Sequence, residues 1–513
     1  MPKKFYVTTP IYYANGLPHI GHAYSSFIAD AFARAKRLLG YQVKFSTGLD
    51  ENGQKMVQKA ESEGKDVMTF LDEIADGSLK IWENLDISYT DFIRTTEARH
   101  HEFVQKTLNK IYDKQDGDIY RGEYVGLYCV GCEAFKNPRD LVNGVCPDHL
   151  TKPDEIKEKN WFFKLSKYQS FLENHFAQYP QFVQPQWRFN EVKSFVWAGV
   201  EDFSISREGN NFGIPLPFDN SQVTYVWFDA LLNYITVCQN QEVNFWDDDT
   251  QIVHILGKDI VKFHATYWPA MLESAGYRFP DQEFVTGYLT VDGQKMSKSL
   301  WNIVDPVQLV HEYDRDAVVF YLLYDAPIGV DGDFSWERFA GTYESALIGA
   351  WGNLVNRVTS LCSKYEITEA KLWNYEDFLA GLTPELLDQK YLQSWDFQWY
   401  LQEWYALVQS ANWFITRAEP RKKYKDEATK QEALDALAFL LYIVKNLALL
   451  SAPILVNGFA KIQNILGNET LSAIDSSKDY AVWSTAFAET FAMKEFTVNL
   501  KPEIIYQRKE KAE

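Results

Sequence analysis

Cysteine is scarce in this chain, with five residues among 513. An odd number spread over that length excludes a disulfide framework and points to the reduced cytoplasm as the expected location. Positive charge is in deficit: Lys and Arg total 51 against 70 Asp and Glu, a formal net charge of −19. A chain so acidic is not a general nucleic-acid coat, because blanket phosphate binding needs a positive surface; a local basic patch stays compatible. Long apolar runs are also missing. The most apolar stretch, 434–456, is interrupted by Asp435, Lys445, Asn446 and Pro453, whereas a membrane span needs about 20 nearly unbroken apolar residues. It reads as a buried helix, and no membrane partner is expected. Residues 1–13 lack the apolar core and small-residue cleavage site of a secretory signal, and no internal repeat or low-complexity segment is apparent.

The remaining composition is that of a globular protein, 46% hydrophobic and 24% charged, which excludes a disordered chain and a collagen-like fibre. The length suits roughly three domains. Aromatic residues make up 16%, and rings in that number have to fill cores, pockets or stacking platforms.

The first 50 residues predict a β-α-β unit. A strand over 3–9 leads into a loop over 10–18 containing Asn15-Gly16, then a helix from Ile20 with apolar residues at helical spacing, closed by Gly40, then a second strand over 41–47. Such units build a parallel, doubly wound sheet whose ligands bind beyond the carboxyl ends of the strands. A second α/β block follows from about 221, with strands at 251–256 and 283–291 around a helix at 260–275 that stops at Gly276. The predicted fold is therefore α/β, a Rossmann-like doubly wound parallel sheet split by an inserted zinc-knuckle domain and followed by an all-α C-terminal domain. Its expected parts are 1–115, 116–220 (the insert), 221–330 and 331–513.

The insert owes its description to Cys129-x2-Cys132-x13-Cys146-x2-His149. Two paired knuckles about 15 residues apart are a zinc layout, and four protein donors close the tetrahedral shell, so the Zn²⁺ is expected to be structural.

Two further motifs handle phosphate. His19-Ile20-Gly21-His22 stands where the first strand's loop becomes the first helix. A helix N-terminus offers free amide donors and a positive partial charge, Gly21 admits a close ligand, and the imidazoles can donate to phosphate oxygens. Lys295-Met296-Ser297-Lys298-Ser299 follows the turn Asp292-Gly293, where mobile lysines on a short loop can grip a polyphosphate. Either motif alone is modest; their joint occurrence on the two halves of a split sheet is specific.

With these residues the chain resembles the class I aminoacyl-tRNA synthetases, and among them the methionine enzymes. Further matching segments are Pro10-Ile11-Tyr12-Tyr13-Ala14-Asn15-Gly16, Tyr225-Val226-Trp227-Phe228-Asp229-Ala230, Gly257-Lys258-Asp259-Ile260, Phe263-His264, Asp331-Gly332-Asp333-Phe334-Ser335 and Asn353-Leu354-Val355-Asn356-Arg357. The spacing between the two signatures leaves no room for the large editing insertion of the isoleucine, valine and leucine enzymes. The cysteine enzyme uses its zinc to select a thiol, which a closed four-donor shell cannot do.

The resemblance implies ATP, methionine and tRNA with a CAU anticodon as partners, and Mg²⁺ accompanying ATP. It implies His19, His22, Lys295 and Lys298 as catalytic groups, and Gly21, Gly257 and Asp259 on the nucleotide. Asp50 would hold the methionine ammonium, with Ile11, Tyr13, Trp227, Ala230, Tyr234, Ile260 and His264 around its side chain. Asn353, Arg357 and Arg421 would face tRNA. The chain departs from the family pattern in four places: Arg421 stands after Pro420 in place of a Trp, Trp301 in place of a Gly, Asn52 in place of a His, and Tyr324-Asp325 in place of Arg-Glu. Two alternatives stay open at this point, a paralogue that forms methionyl-adenylate for another acceptor and a non-catalytic tRNA-binding protein. No extra RNA-binding or dimerisation module is evident at the end of the chain, so a monomer is expected.

Overall fold

The structure, a computed structural model, describes residues 3–508 except 115, 130–133, 137–140, 148–150, 209–211, 297–301, 327–328, 373–395, 473 and 475–479. Its centre is a six-stranded sheet. The strands are β1 (Lys4–Tyr13), β2 (Gln42–Asp50), β3 (Asp91–Arg94), β4 (Val183–Gln184), β5 (Thr250–Gly257) and β6 (Gln282–Thr286), in the spatial order β3-β2-β1-β5-β6-β4. All neighbouring pairs are parallel. Both faces are covered, so alternate residues feed two separate apolar cores: Phe5, Val7, Val253 and Ile255 one, Tyr6, Ile252 and Leu256 the other.

From β1 the chain crosses through helix α1 (Ile20–Leu38) to β2 and on to β3, and only later returns to the other side of β1 through β4, β5 and β6. Strands β1 and β5 are thus neighbours whose connections leave in opposite directions, and their carboxyl ends open the crevice in which such sheets bind ligands.

The structure corrects several expectations. β1 does not end at Thr9. Its pairing with β2 is interrupted between Thr8 and Ile11, where Pro10 has no N–H to contribute, and resumes at Ile11 to Tyr13 opposite Gly48 to Asp50. The strand expected over 283–291 is two strands. β6 stops at Thr286, and Leu289–Val291 belongs to a small separate sheet, where it pairs with Gly332–Phe334; between the two strands Gly287 lies against the backbone of Val330 so closely that no Cβ fits. The segment expected as one insert contains a four-stranded sheet around Ile119–Cys129 and Asp154–Phe163, but it returns to the central sheet at Val183–Gln184.

The C-terminal region is helical, but among the described residues it is not all-α as expected: Gly332–Phe334 is a strand paired with Leu289–Val291, and Glu369–Lys371 pairs with Glu495–Thr497. Helices α2 (Asn353–Lys364), α3 (Phe397–Ala418) and α4 (Lys430–Ser451) form its frame, with Tyr400 Oη and Trp404 Nε1 of α3 donating to the Leu450 and Leu447 carbonyls of α4 at 2.7 and 3.0 Å. By length and composition α4 could cross a membrane, yet its apolar window is 83% buried inside the protein, as a core helix would be. The helical region is tied to α1 by Arg315, fully enclosed, which donates to Asp30 at 2.6 Å, to the Leu85 carbonyl at 3.1 Å and to the Ile454 carbonyl at 3.0 Å. Burial alone would raise the Asp30 carboxyl, but Arg34 and Arg315 hold it below the usual carboxylate range.

Candidate active site

The histidine motif at the start of α1 and the lysine motif meet. The backbone N–H of Ile20, at the start of α1, donates to the carbonyl of Val304, just beyond the lysine motif, at 3.3 Å. A Cβ on Gly21 would stand 3.2 Å from the terminal methyl of Met296. The lysine motif begins on a hairpin in which Leu289–Val291 pairs with Gln294–Lys295. Asp292 and Gly293 form its turn with φ of 48° and 75°, and Asp333 fastens it by accepting from the Gly293 N–H and the Thr290 hydroxyl, both at 2.7 Å. Lys295 is placed here by its backbone; Ser297, Lys298 and Ser299 lie outside the described residues.

Both histidines are built into the helix start. His19 is the N-cap, its Nδ1 accepting from the Gly21 N–H at 3.1 Å, and the His19 N–H donates to Nδ1 of His22 at 3.1 Å. A backbone N–H can only donate, so each Nδ1 is unprotonated and each neutral ring carries its proton on Nε2. The rings lie 4.0 Å apart. Burial lowers His19 to about 4, and burial together with His19 lowers His22 well below the ordinary histidine value. At neutral pH the site therefore offers two uncharged N–H donors beside the amide dipoles of α1. Tyr12 buttresses His22 edge-on at 4.7 Å, its hydroxyl held by Ser25 at 2.8 Å.

Across the crevice, Gly257 ends β5 and Asp259 is exposed, its Oδ1 2.6 Å from where a Gly257 Cβ would stand. Any side chain at 257 would displace that carboxylate. Lys258 pairs with Asp331 at 2.7 Å, and Asp331 also accepts from the Tyr288 N–H at 3.0 Å, which binds this loop to the segment that fastens the lysine hairpin.

Next to Gly257 and Asp259 lies an aromatic wall. Asp50 is buried at the end of β2, directly opposite Tyr13 in the register. Tyr234 and His264 are buried and 2.8 Å apart from Oη to Nε2, while Nδ1 of His264 is 3.0 Å from the Ile260 carbonyl. That carbonyl requires the proton on Nδ1, so the Tyr234 hydroxyl donates to Nε2; burial lowers His264 to about 4, which keeps the ring neutral. Trp227 stacks on Phe263 at 4.0 Å, the rings nearly parallel. Ile11, Trp227 and Ile260 pack on the same apolar core as Tyr234, and Ala230 is buried on the helix of Trp227. This gives a carboxylate at one end of an apolar, aromatic surface, an arrangement suited to an amino acid with an uncharged side chain.

The sequence matches the family described as tRNA synthetases class I (M) over residues 5–153 and 149–359. It is 42% identical over 475 residues to a methionine–tRNA ligase of Thermosynechococcus vestitus, covering 89% of this chain and 88% of that one. It is 40% identical to that of Streptomyces coelicolor, covering 94% and 93%. Among solved structures, Mycobacterium tuberculosis methionyl-tRNA synthetase in complex with methionyl-adenylate superposes with a TM-score of 0.90 at 33% identity, covering 99% of this chain and 100% of that one. The apo form of the same enzyme gives 0.83 at 30% identity, covering 100% and 99%.

This chain belongs to the class I (M) tRNA synthetases.

In this class I synthetase two arginines of the helical region come together. Asn353 is exposed and Arg357 half-buried on α2. Burial lowers the Arg357 guanidinium, and the positive charge of Arg421 lowers it further, so residues 64 positions apart in sequence share one electrostatic neighbourhood. Tyr365 and Tyr424, stacked at 3.7 Å, tie the end of α2 to the turn that bears Arg421. In the zinc motif, Cys129 ends a strand and Cys146 follows a turn in which Asn143 and Gly144 take positive φ; both cysteines are buried. Cys132 and His149 lie outside the described residues, and among the described residues no group of three or more potential metal ligands occurs.

Sequence reasoning assigned no role to Tyr12, Met296, Val304 or Asp333. Met296, Val304 and Asp333 act through contacts between segments far apart in the chain, and Tyr12 across the loop between β1 and α1; their only signal was membership of, or proximity to, a matching motif. Asn52, noted only as a departure, donates to Asp229 and to the Thr95 carbonyl at 3.3 Å each, joining the Asp50 loop to the Trp227 helix.

Proposed function

We propose that the chain is a methionine–tRNA ligase. It activates methionine with ATP, giving methionyl-adenylate and pyrophosphate, and transfers the methionyl group to the 3′-terminal ribose of tRNA. In the first step a carboxylate oxygen of methionine attacks the α-phosphorus, and the bond to the pyrophosphate oxygen breaks. The nucleophile is already ionised at neutral pH, so the site needs no strong base. It has to supply alignment and charge stabilisation. The observation that carries this reading is the meeting of the helix start with the lysine hairpin at Ile20–Val304 and Gly21–Met296.

His19 and His22 serve as neutral donors through Nε2–H to the phosphates, and Lys295 and Lys298 bring positive charge to the departing pyrophosphate. Mg²⁺ accompanies ATP. Gly257 and Asp259 take the nucleoside side. Asp50 anchors the α-ammonium, and Ile11, Tyr13, Trp227, Ala230, Tyr234, Ile260 and His264 surround the thioether, for which sulfur–aromatic contacts are worth ~0.3–1.5 kcal/mol each. Asn353, Arg357 and Arg421 face the anticodon loop, where the Arg421 plane can stack on a base.

A structural Zn²⁺ fits the donor chemistry. Cys129 and Cys146 are buried although the neighbouring turn residues Val142 to Gly144 are exposed, and with Cys132 and His149 they would hold the ion as a crosslink in a small element. The scarcity of cysteine supports a cytoplasmic location, and the protein acts as a monomer. Because Arg421 replaces the usual aromatic residue, a second reading, methionyl-adenylate passed to another acceptor, is decided by one assay. Aminoacylation of a tRNA with a CAU anticodon supports the ligase; methionine-dependent pyrophosphate exchange without charging supports the paralogue.

A further inference from the structure

The centre of the parallel sheet contains a polar row that the proposed chemistry does not use. The register aligns Thr8 of β1 with His254 of β5, His254 with Glu283 of β6, and Glu283 with Val183 of β4. Alternation puts these side chains on one face. Ile252, Leu256 and Val285 share a core with Tyr234 and Trp246, whereas Val253, Ile255 and Phe284 feed the core on the other face. Thr8, His254 and Glu283 are all 0% exposed.

Their hydrogen bonding is incomplete on one side only. Nδ1 of His254 lies 2.9 Å from the Thr8 hydroxyl. Nε2 of His254 and both carboxyl oxygens of Glu283 have no hydrogen-bond partner among the described residues. Strands buried on both faces of a parallel sheet are normally lined with Val, Ile and Leu, and an orphaned carboxyl there is costly. The imidazole of His254 has a specific neighbour: it stacks on the Tyr234 ring at 4.2 Å, and Tyr234 donates to His264 at 2.8 Å. The row therefore underlies the aromatic wall.

We propose that Glu283 and His254 are a positioning pair for the amino-acid pocket: one buried water links the Glu283 carboxyl to Nε2 of His254, and the imidazole so fixed holds the Tyr234 ring against which the substrate side chain packs. A buried water needs two to four polar partners, and three orphaned atoms on adjacent strands about 4.8 Å apart supply them. Burial pushes Glu283 well above the ordinary carboxylate range and lowers His254, so the row is uncharged and has protons to donate. Among the described residues, the groups facing His254 are Thr8, Tyr234, Trp246, His264 and Glu283, with no cation among them. This inference rests on the reading of Tyr234 and His264 as the methionine wall.

The test is methionine-dependent ATP–pyrophosphate exchange on the full chain, with KM for methionine, KM for ATP, kcat and the thermal midpoint measured for E283Q, E283L, T8V and Y234A. The loss of one hydrogen-bonded link predicts that E283L raises KM for methionine about five- to tenfold, leaving kcat and KM for ATP within about twofold. E283Q, which keeps a donor and an acceptor, stays near wild type, and T8V moves in the same direction as E283L. An E283L protein with unchanged KM for methionine and a raised thermal midpoint overturns the proposal, since the acid would then be merely tolerated. So does an E283Q protein as impaired as E283L. If E283L does not fold, an unchanged KM in T8V overturns it alone. A Y234A protein, which lacks the ring, without effect on methionine removes the pocket reading and the pair with it; Y234A active on KM while E283L and T8V are silent removes the pair only.

Discussion

Gly21→Ala is a small change whose consequences can be worked out atom by atom. An added Cβ would stand 2.9 Å from Cε1 of His19, 3.1 Å from its Nδ1 and 3.2 Å from Cε of Met296. Favourable carbon–carbon contacts lie at about 3.5–4.0 Å, so at least ~0.6 Å has to be found. The Met296 methyl is a flexible end and can yield. The His19 ring is held at 3.1 Å by the Gly21 N–H, and retreating weakens a cap of about 1 kcal/mol while carrying Nε2 away from the phosphates. Misplacement of a catalytic group by about 1 Å costs about 10²-fold. Alanine regains about 1 kcal/mol of helix propensity over glycine, so the two stability effects roughly cancel. The expected result is methionine-dependent pyrophosphate exchange reduced about 10- to 100-fold with a thermal midpoint within about 3 °C of wild type. An alanine variant that exchanges at the wild-type rate would refute the placement of His19 at the phosphates, and equal losses of activity and stability would refute the separation of the two effects.

Other expectations follow from the same geometry. Burial lowers His19, His175 and His264 to about 4 and His100 to about 3, whereas the unfolded chain titrates near 6.5. The contribution of these neutral rings is complete above about pH 6.5 and is lost as pH falls towards 4, at about 3 kcal/mol for a ring lowered to about 4; a denaturant midpoint independent of pH between 6.5 and 4 would contradict this. Lys298→Ala should lower pyrophosphate exchange by orders of magnitude, and near-normal activity would retire its role. Protein expressed with ample metal should contain one zinc per chain, and chelation should disorder the region around Cys129 and Cys146; metal analysis finding none removes the zinc site. Arg421→Ala should reduce tRNA charging about tenfold, the scale of one lost stacking contact, without changing exchange, and equal effects on both would count against an anticodon role.

Much of this was legible in the sequence because the relevant signals are local. The β-α-β periodicity, Gly40 and Gly276 as helix stops, and the two phosphate motifs each depend on neighbouring residues. What escaped depends on distant partners. Nothing local reveals that Pro10 sits at a break in strand pairing and not in a loop, or that Val183–Gln184, two residues long and followed by Pro185, completes the central sheet. The split of 283–291 goes with the pairing of Leu289–Val291 to the distant segment Gly332–Phe334. In the sequence Glu283 is only the first residue of the strand expected over 283–291. Only the register, which sets it beside His254 on a covered face, distinguishes it from a surface acid.

The central claim is that His19-Ile20-Gly21-His22 and the lysine hairpin close on one ATP beside a pocket shaped for methionine. Pyrophosphate exchange measured with each of the twenty amino acids tests both halves at once. The account predicts exchange that depends on methionine and stays at background with the other nineteen. Exchange driven by another amino acid, or by none, would contradict it.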